Sequence, residues 1–266
     1  MLIGNNTLMF FEDKTLQRWT TADNKNIYPY FGINIMPAFA LVSDTSETSA
    51  EVSIYNASTD VIFKTAQAVA VSTLNSGLSN EAKLLLFASV TLADGVAGCY
   101  YLKIVTNGSA ETYYSEVFAW TTDSAANLKE LGLLKITASS LSNYTLAGAY
   151  NMAMSTITYE CFIEVDEPEL DADIDEQGNE KPYGDIPVFN TLAFKHKYEI
   201  FGTEGIYRFL CFLRTLKTNG TITFTYKGVA KSGYDIICEK ESASKDTMVM
   251  SLEYKESDYA SSRNTI

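Results

Sequence analysis

Residues 98–120, GCYYLKIVTNGSAETYYSEVFAW, constrain the fold more than any other stretch of the chain. Two alternating apolar runs flank Asn107-Gly108, and Asn and Gly are the residues that most readily accept positive φ, so the pattern predicts a β-hairpin turning there. A two-residue loop sets Leu102 opposite Tyr113, and a loop longer by two residues leaves the same faces. Tyr100, Leu102, Ile104, Tyr113 and Val117 then form an apolar face that packs on a core. Tyr101, Lys103, Thr112, Tyr114 and Glu116 form a mixed second face. No catalytic group stands there in a recognisable setting.

The chain has 266 residues, 46% hydrophobic and 20% charged, enough for two ordinary domains that each bury a core. Its formal charge of -13 argues against a grip on a phosphate backbone, which needs clustered Lys and Arg. Cys99, Cys161, Cys211 and Cys238 lack the close pairing of a structural zinc site and read as buried thiols in a reducing compartment. The first ten residues have no basic-then-apolar leader, and the longest apolar runs are too short for a bilayer helix, so no membrane partner is expected.

Residues 1–31 mix amides, charges and aromatics without a sustained period. They read as an arm lying across its own domain or a neighbouring subunit, or as a first edge strand. Strands are expected over 33–42, 50–55, 61–71 and 83–90, and with the hairpin they make an Ig-like β-sandwich over 32–122. The small polar run 121–127 marks a domain boundary. From 123 to 266 an α+β domain is expected, an antiparallel sheet plus one helix, with strands over 132–138, 157–165, 188–201, 221–226, 234–240 and 248–254. The helix is clearest, because Ile206, Phe209, Leu210, Leu213 and Leu216 recur at three- and four-residue steps, with Thr203 as its cap. The last three strands read as a meander with turns at 231–233 and 242–246.

The acidic loop 166–185 holds Asp171, Asp173 and Asp175 at the one-three-five spacing of a calcium loop. Glu176 and Pro182 occupy the places where that loop needs Gly and Glu, so the run 166–180 reads as a solvated hairpin tip turned by Gly178-Asn179, with a loose divalent site as the alternative. No cofactor or defined metal site is expected. His196, the single histidine, has no cysteine or serine nearby, which disfavours nucleophilic triads and histidine-rich metal sites. The aromatics permit a sugar platform of Tyr101, Tyr114 and Trp120; they equally suit the buried centre of a protein interface, the reading preferred.

The order of several landmarks resembles virion neck and tail proteins of crAss-like and related tailed bacteriophages of gut Bacteroidales. These are Asp94-Gly95 before the hairpin opening at Gly98-Cys99-Tyr100-Tyr101 and ending at 114–118, the strand 134–136, the acidic run 166–180, the segment 194–198, the helix 204–217 and the strands through Tyr254. The eight residues 226–233 are longer than the short turn the resemblance leads one to expect. The resemblance covers about 90–260 and implies a non-enzymatic ring or adaptor component in the virion, assembled in the host bacterial cytoplasm. Its partners would be copies of itself, in a twelvefold or sixfold ring, and neighbouring neck or tail proteins, with DNA passing through unbound. Interface candidates are Tyr101, Tyr114, Glu116, Trp120, Asp171, Asp173, Asp175 and Glu176, since a closed ring needs two different complementary patches. The alternative is a carbohydrate-binding or adhesin-like sandwich at the tail tip.

Overall fold

The computed structural model describes residues 8–17, 28–33, 35–43, 47–74, 82–87, 95–108, 110–121, 132–139, 141–146, 150–154, 159–165, 169–178, 188–215, 221–232, 235–243 and 248–257. The chain is mainly β. Its strands begin with β1 (Phe10–Phe11), β2 (Tyr30–Gly32), β3 (Phe39–Ser43), β4 (Ala50–Asn56), β5 (Ile62–Leu74), β6 (Ala82–Phe87), β7 (Gly98–Thr106), β8 (Thr112–Ser115) and β9 (Phe118–Thr121). There follow β10 (Leu133–Ser139), β11 (Leu141–Leu146), β12 (Tyr150–Met154), β13 (Tyr159–Glu164), β14 (Glu169–Gly178) and β15 (Val188–Gly202). After the helix α1 (Glu204–Thr215) come β16 (Thr221–Tyr226), β17 (Val229–Ser232), β18 (Asp235–Ala243) and β19 (Met248–Ser257).

Thirteen strands join one sheet, with the path β17-β16-β10-β13-β2-β9-β7-β4-β5-β6-β3 and with β8 and β1 branching from β7. β2, from the N-terminal segment, links the two halves of the chain: it runs parallel to β9 and antiparallel to β13. The boundary expected at 121–127 falls almost wholly outside the described residues. β14-β15-β19-β18 form a separate antiparallel sheet, and β11 and β12 pair with each other.

Ile206, Phe209, Leu210 and Leu213 of α1 are all buried, as their spacing requires; Leu216 lies outside the described residues. Burying each such side chain contributes about 1.5–3 kcal/mol. They belong to one apolar cluster with Phe31, Leu102, Trp120, Ile136, Ile200 and Phe224, drawn from both halves of the sequence. Cys161 is buried, and Cys99 and Cys211 are half-buried free thiols; the side chain of Cys238 lies outside the description.

The final strands depart from the expected meander. β16 pairs with β10 and β17 in the large sheet, whereas β18 pairs with β19 in the small one. The chain turns at Lys227-Gly228, with φ of 48° and 83°, so that Tyr226 faces Val229. That is the positive-φ pair a two-residue hairpin needs. The long connection expected over 226–233 is therefore a tight turn followed by a short strand.

Candidate functional site

β7 and β8 form the expected hairpin, with Ile104 opposite Tyr113 and Lys103 opposite Tyr114. The loop is the longer one, residues 107–110: Thr106 donates its N–H to the carbonyl of Glu111 at 3.0 Å, and the left-handed residue is Ala110, φ 56°. Tertiary contacts account for this choice. Asn107 gives its N–H to the Ser49 carbonyl at 3.0 Å, and Gly108 gives its own to the buried carboxylate of Glu47 at 2.9 Å. The tip is therefore docked on the segment before β4, and a minimal turn would forfeit both bonds.

Beyond the loop the register moves by one residue. Continuing the β7–β8 ladder would set Tyr100 opposite Val117, but β9 sets it opposite Phe118. A one-residue bulge reverses the faces of everything after it. Val117 and Phe118 are consequently both buried, and Trp120 turns into the core at 2% exposure, packed 4.4 Å from the ring of Tyr100 with its indole N–H donated to the Ile35 carbonyl at 2.8 Å. Trp120 is thus neither an exposed interface residue nor part of a flat platform with Tyr101 and Tyr114; strict alternation through residue 116 had placed it there. The leucine and isoleucine face predicted for the hairpin is buried as expected.

On the opposite face, Tyr55 of β4 stacks on Tyr101 of β7, with ring centroids 5.2 Å apart and planes 13° apart, and Tyr114 lies 6.4 Å beyond. Lys103 sits 5.9 Å from the centroids of both Tyr55 and Tyr114, a cation shared between two rings. Tyr101 is closed off by the N-terminal segment. Lys14, from a 3-10 turn at Lys14–Leu16, lies 4.9 Å over its ring and pairs with Asp60, which also accepts the Tyr101 hydroxyl. These donors hold the Asp60 carboxyl below its ordinary range, and burial, seconded by that carboxylate, pushes the Tyr101 hydroxyl up. Tyr55, Lys103 and Tyr114 remain partly exposed.

The N-terminal segment pairs with strands of its own chain. β1 pairs with β8, Phe10 opposite Ser115 and Phe11 opposite Tyr114. The Gln17 amide donates to the Ser115 carbonyl at 2.6 Å, and Leu8, Phe10 and Phe31 are buried. Trp19 lies outside the described residues.

Glu116 is the largest departure from the sequence reading. Instead of a surface position it takes an interior one, 4% exposed. Its carboxyl Oε2 accepts the Met9 N–H and the Thr203 hydroxyl, each at 3.1 Å, while its own N–H goes to the Met9 carbonyl at 2.7 Å. Thr203 stands at the head of α1, where its carbonyl accepts the Tyr207 N–H at 3.2 Å. Its hydroxyl, expected to cap the helix, donates to Glu116 instead. Burial dominates and pushes the Glu116 carboxyl up to about 7, against the lowering effect of its hydrogen bonds.

The acidic run is also placed differently. Residues 169–178 are strand rather than hairpin tip, paired along their length with β15, and the chain reverses after Gly178, which faces Val188. Glu169 stands opposite Lys197 and Asp171 opposite Lys195; opposite charges across a ladder stabilise pairing. Asp173, Asp175 and Glu176 face Ala193, Thr191 and Asn190. His196 sits inside the same sheet between Leu170 and Tyr254. Among the described residues no three His, Cys, Asp or Glu are grouped to hold a metal ion.

The structure therefore brings Tyr101 and Tyr114 together with Tyr55 and Lys103, sets Glu116 and Trp120 in the interior, and leaves the acids of β14 on a different sheet. Comparisons with protein-family models, curated proteins and solved structures returned no match to this chain.

Proposed function

We propose that this chain is a non-enzymatic virion structural protein that assembles side by side into a homo-oligomeric ring in the neck or tail of a tailed bacteriophage. In this reading the first unit, 32–122, is an Ig-like sandwich, and 123–266 is an α+β body. The ring is made in the host cytoplasm and contacts neighbouring neck or tail proteins, and an acidic lumen lets DNA pass without sticking.

One observation carries the reading furthest. The main path of the large sheet ends on two dissimilar strands, β17 and β3, and neither has a strand partner on its outer side among the described residues. A head-to-tail ring requires two different surfaces per subunit, and unpaired strand edges are ready templates for a neighbouring chain. Val229, on β17, is 56% exposed. The ordered landmarks that resemble phage neck and tail proteins supply the biological setting. The partly exposed Tyr114, with Tyr55 and Lys103, and the acidic strand β14 are the further contact surfaces.

Reversing Asp171, Asp173, Asp175 and Glu176 to lysine tests the role of β14. A folded variant with altered ring assembly in sedimentation velocity supports it; a folded variant with unchanged rings removes β14 from the interface.

A further inference from the structure

We propose that Glu116 is a protonation-controlled latch that holds the N-terminal segment, residues 8–17, against the start of α1. Three separate pieces of chain meet at this carboxyl: Met9 from the N-terminal segment, Thr203 from the head of the helix, and Glu116 itself between β8 and β9. The hydrogen bond from the Glu116 N–H to the Met9 carbonyl closes the joint from the main-chain side. Gly205 supplies the steric half. A Cβ there would lie 2.5 Å from Oε2 of Glu116, 3.0 Å from Met9 Cγ and 3.1 Å from the Met9 nitrogen, so the three pieces fit together only around a bare backbone at position 205.

The groups packed around the carboxyl leave it poorly compensated as an anion. From α1 the charged side chains acting on it are Glu204, which disfavours the anion, and Arg208, which favours it. Those two are paired with each other, at 2.6 and 3.0 Å. Among the described residues, the N-terminal segment offers the Met9 main chain, and from the strand side the Ser115 hydroxyl is donated to the Glu116 carbonyl rather than to its carboxyl. The neutral acid fills this site without a charge to solvate, whereas the anion must be held there out of water.

The sign follows by linkage. With the joint closed the carboxyl titrates near 7, and with it open the carboxyl returns toward its ordinary 4.5. The closed form therefore holds the proton more tightly, so closure is strongest at low pH and weakens as pH rises through 7. The opening equilibrium of the segment should grow about tenfold between pH 6 and pH 8 and then level off. Opening would uncover the β8 edge now paired with Phe10 and Phe11. The latch is intramolecular and does not depend on the ring reading.

Hydrogen exchange of the amides of residues 8–17, measured on the intact chain at pH 6, 7 and 8 and divided by the intrinsic rates, tests this in the wild type and in Glu116→Gln. The expected result is the roughly tenfold rise in opening for the wild type and a flat profile for the variant. A wild type with no rise, or a variant with the same rise, overturns the proposal. If the glutamine variant does not fold, a carbon-detected NMR titration of the wild type decides. A Glu116 midpoint near 7 shared by the Met9 amide supports the latch, and a midpoint in the ordinary carboxylate range sinks it.

Discussion

Glu116, in the connection between β8 and β9, and Asp171, on β14, are both acids, and the fold places them differently. Glu116 lies in the interior at the junction of three chain segments, with its acid form favoured. Asp171 stands on a strand that ends its sheet, opposite Lys195. The contrast extends to the regions around them. The polar and aromatic groups of the hairpin region meet other parts of the chain: Trp120 the core, Tyr101 the Lys14 cation, Glu116 Met9 and Thr203. The four-stranded sheet keeps five acids within 169–176 on its end strand, with lysines of β15 opposite two of them. The role of Glu116 is thus decided by which distant segments arrive beside it.

Substitutions in the two regions should differ in what they damage, and the hairpin region should show the larger losses of stability. Trp120→Ala removes a buried ring and the indole N–H donated to the Ile35 carbonyl, for a loss of about 3–5 kcal/mol, read as a fall in the denaturant midpoint. Stability should also fall with pH in the wild type. Because the folded-state value of Glu116, about 7, exceeds its ordinary 4.5, its contribution is complete below 4.5 and is lost as pH rises through 7. The full swing is about 3 kcal/mol, and a pH series of urea melts in which Glu116→Gln abolishes that component checks it. A flat wild-type series would erase the contrast with Asp171.

Gly205→Ala should cost about 1–3 kcal/mol as overpacking, although alanine is the better helix former by about 1 kcal/mol. The contacts at Met9 and Glu116 are too close for the added carbon, so a stabilised Gly205→Ala would show that the N-terminal segment gives way easily. Smallest in stability should be the reversal of the β14 acids. Single cross-strand charge pairs contribute only about 0.2–1 kcal/mol, so melting should move little while assembly changes. A large loss of stability there would mean that β14 is as internally committed as the hairpin.

Much of the hairpin region was legible because strand alternation is local. The apolar face through Ile104 and Tyr113 is where the pattern put it, and the stripe of α1 is buried throughout its described length. The bulge after Ser115 was not legible, since strict alternation continued through it put Trp120 on the wrong face. The consecutive apolar residues Val117, Phe118, Ala119 and Trp120 were the available sign that alternation had ended. Glu116 was hidden for another reason: its partners lie 107 and 87 residues away in sequence, and no local pattern reports them. β14 was missed because its composition argues for solvent, and its pairing with β15 is not encoded in its own residues. β11, β12 and β17 were missed as well, and the split of the last strands between two sheets depends on pairings to β10 and β15 that their own sequence does not encode.

On the proposed function, the exposed edges and faces of this protein serve contacts with its own copies. Negative-stain imaging of the purified intact chain over a wide concentration range, with mass measurement of the same samples, tests it most directly. Closed rings of uniform diameter and a single integral stoichiometry are the predicted result; a monomer at every concentration, found also as an isolated copy in an assembled particle, would contradict it.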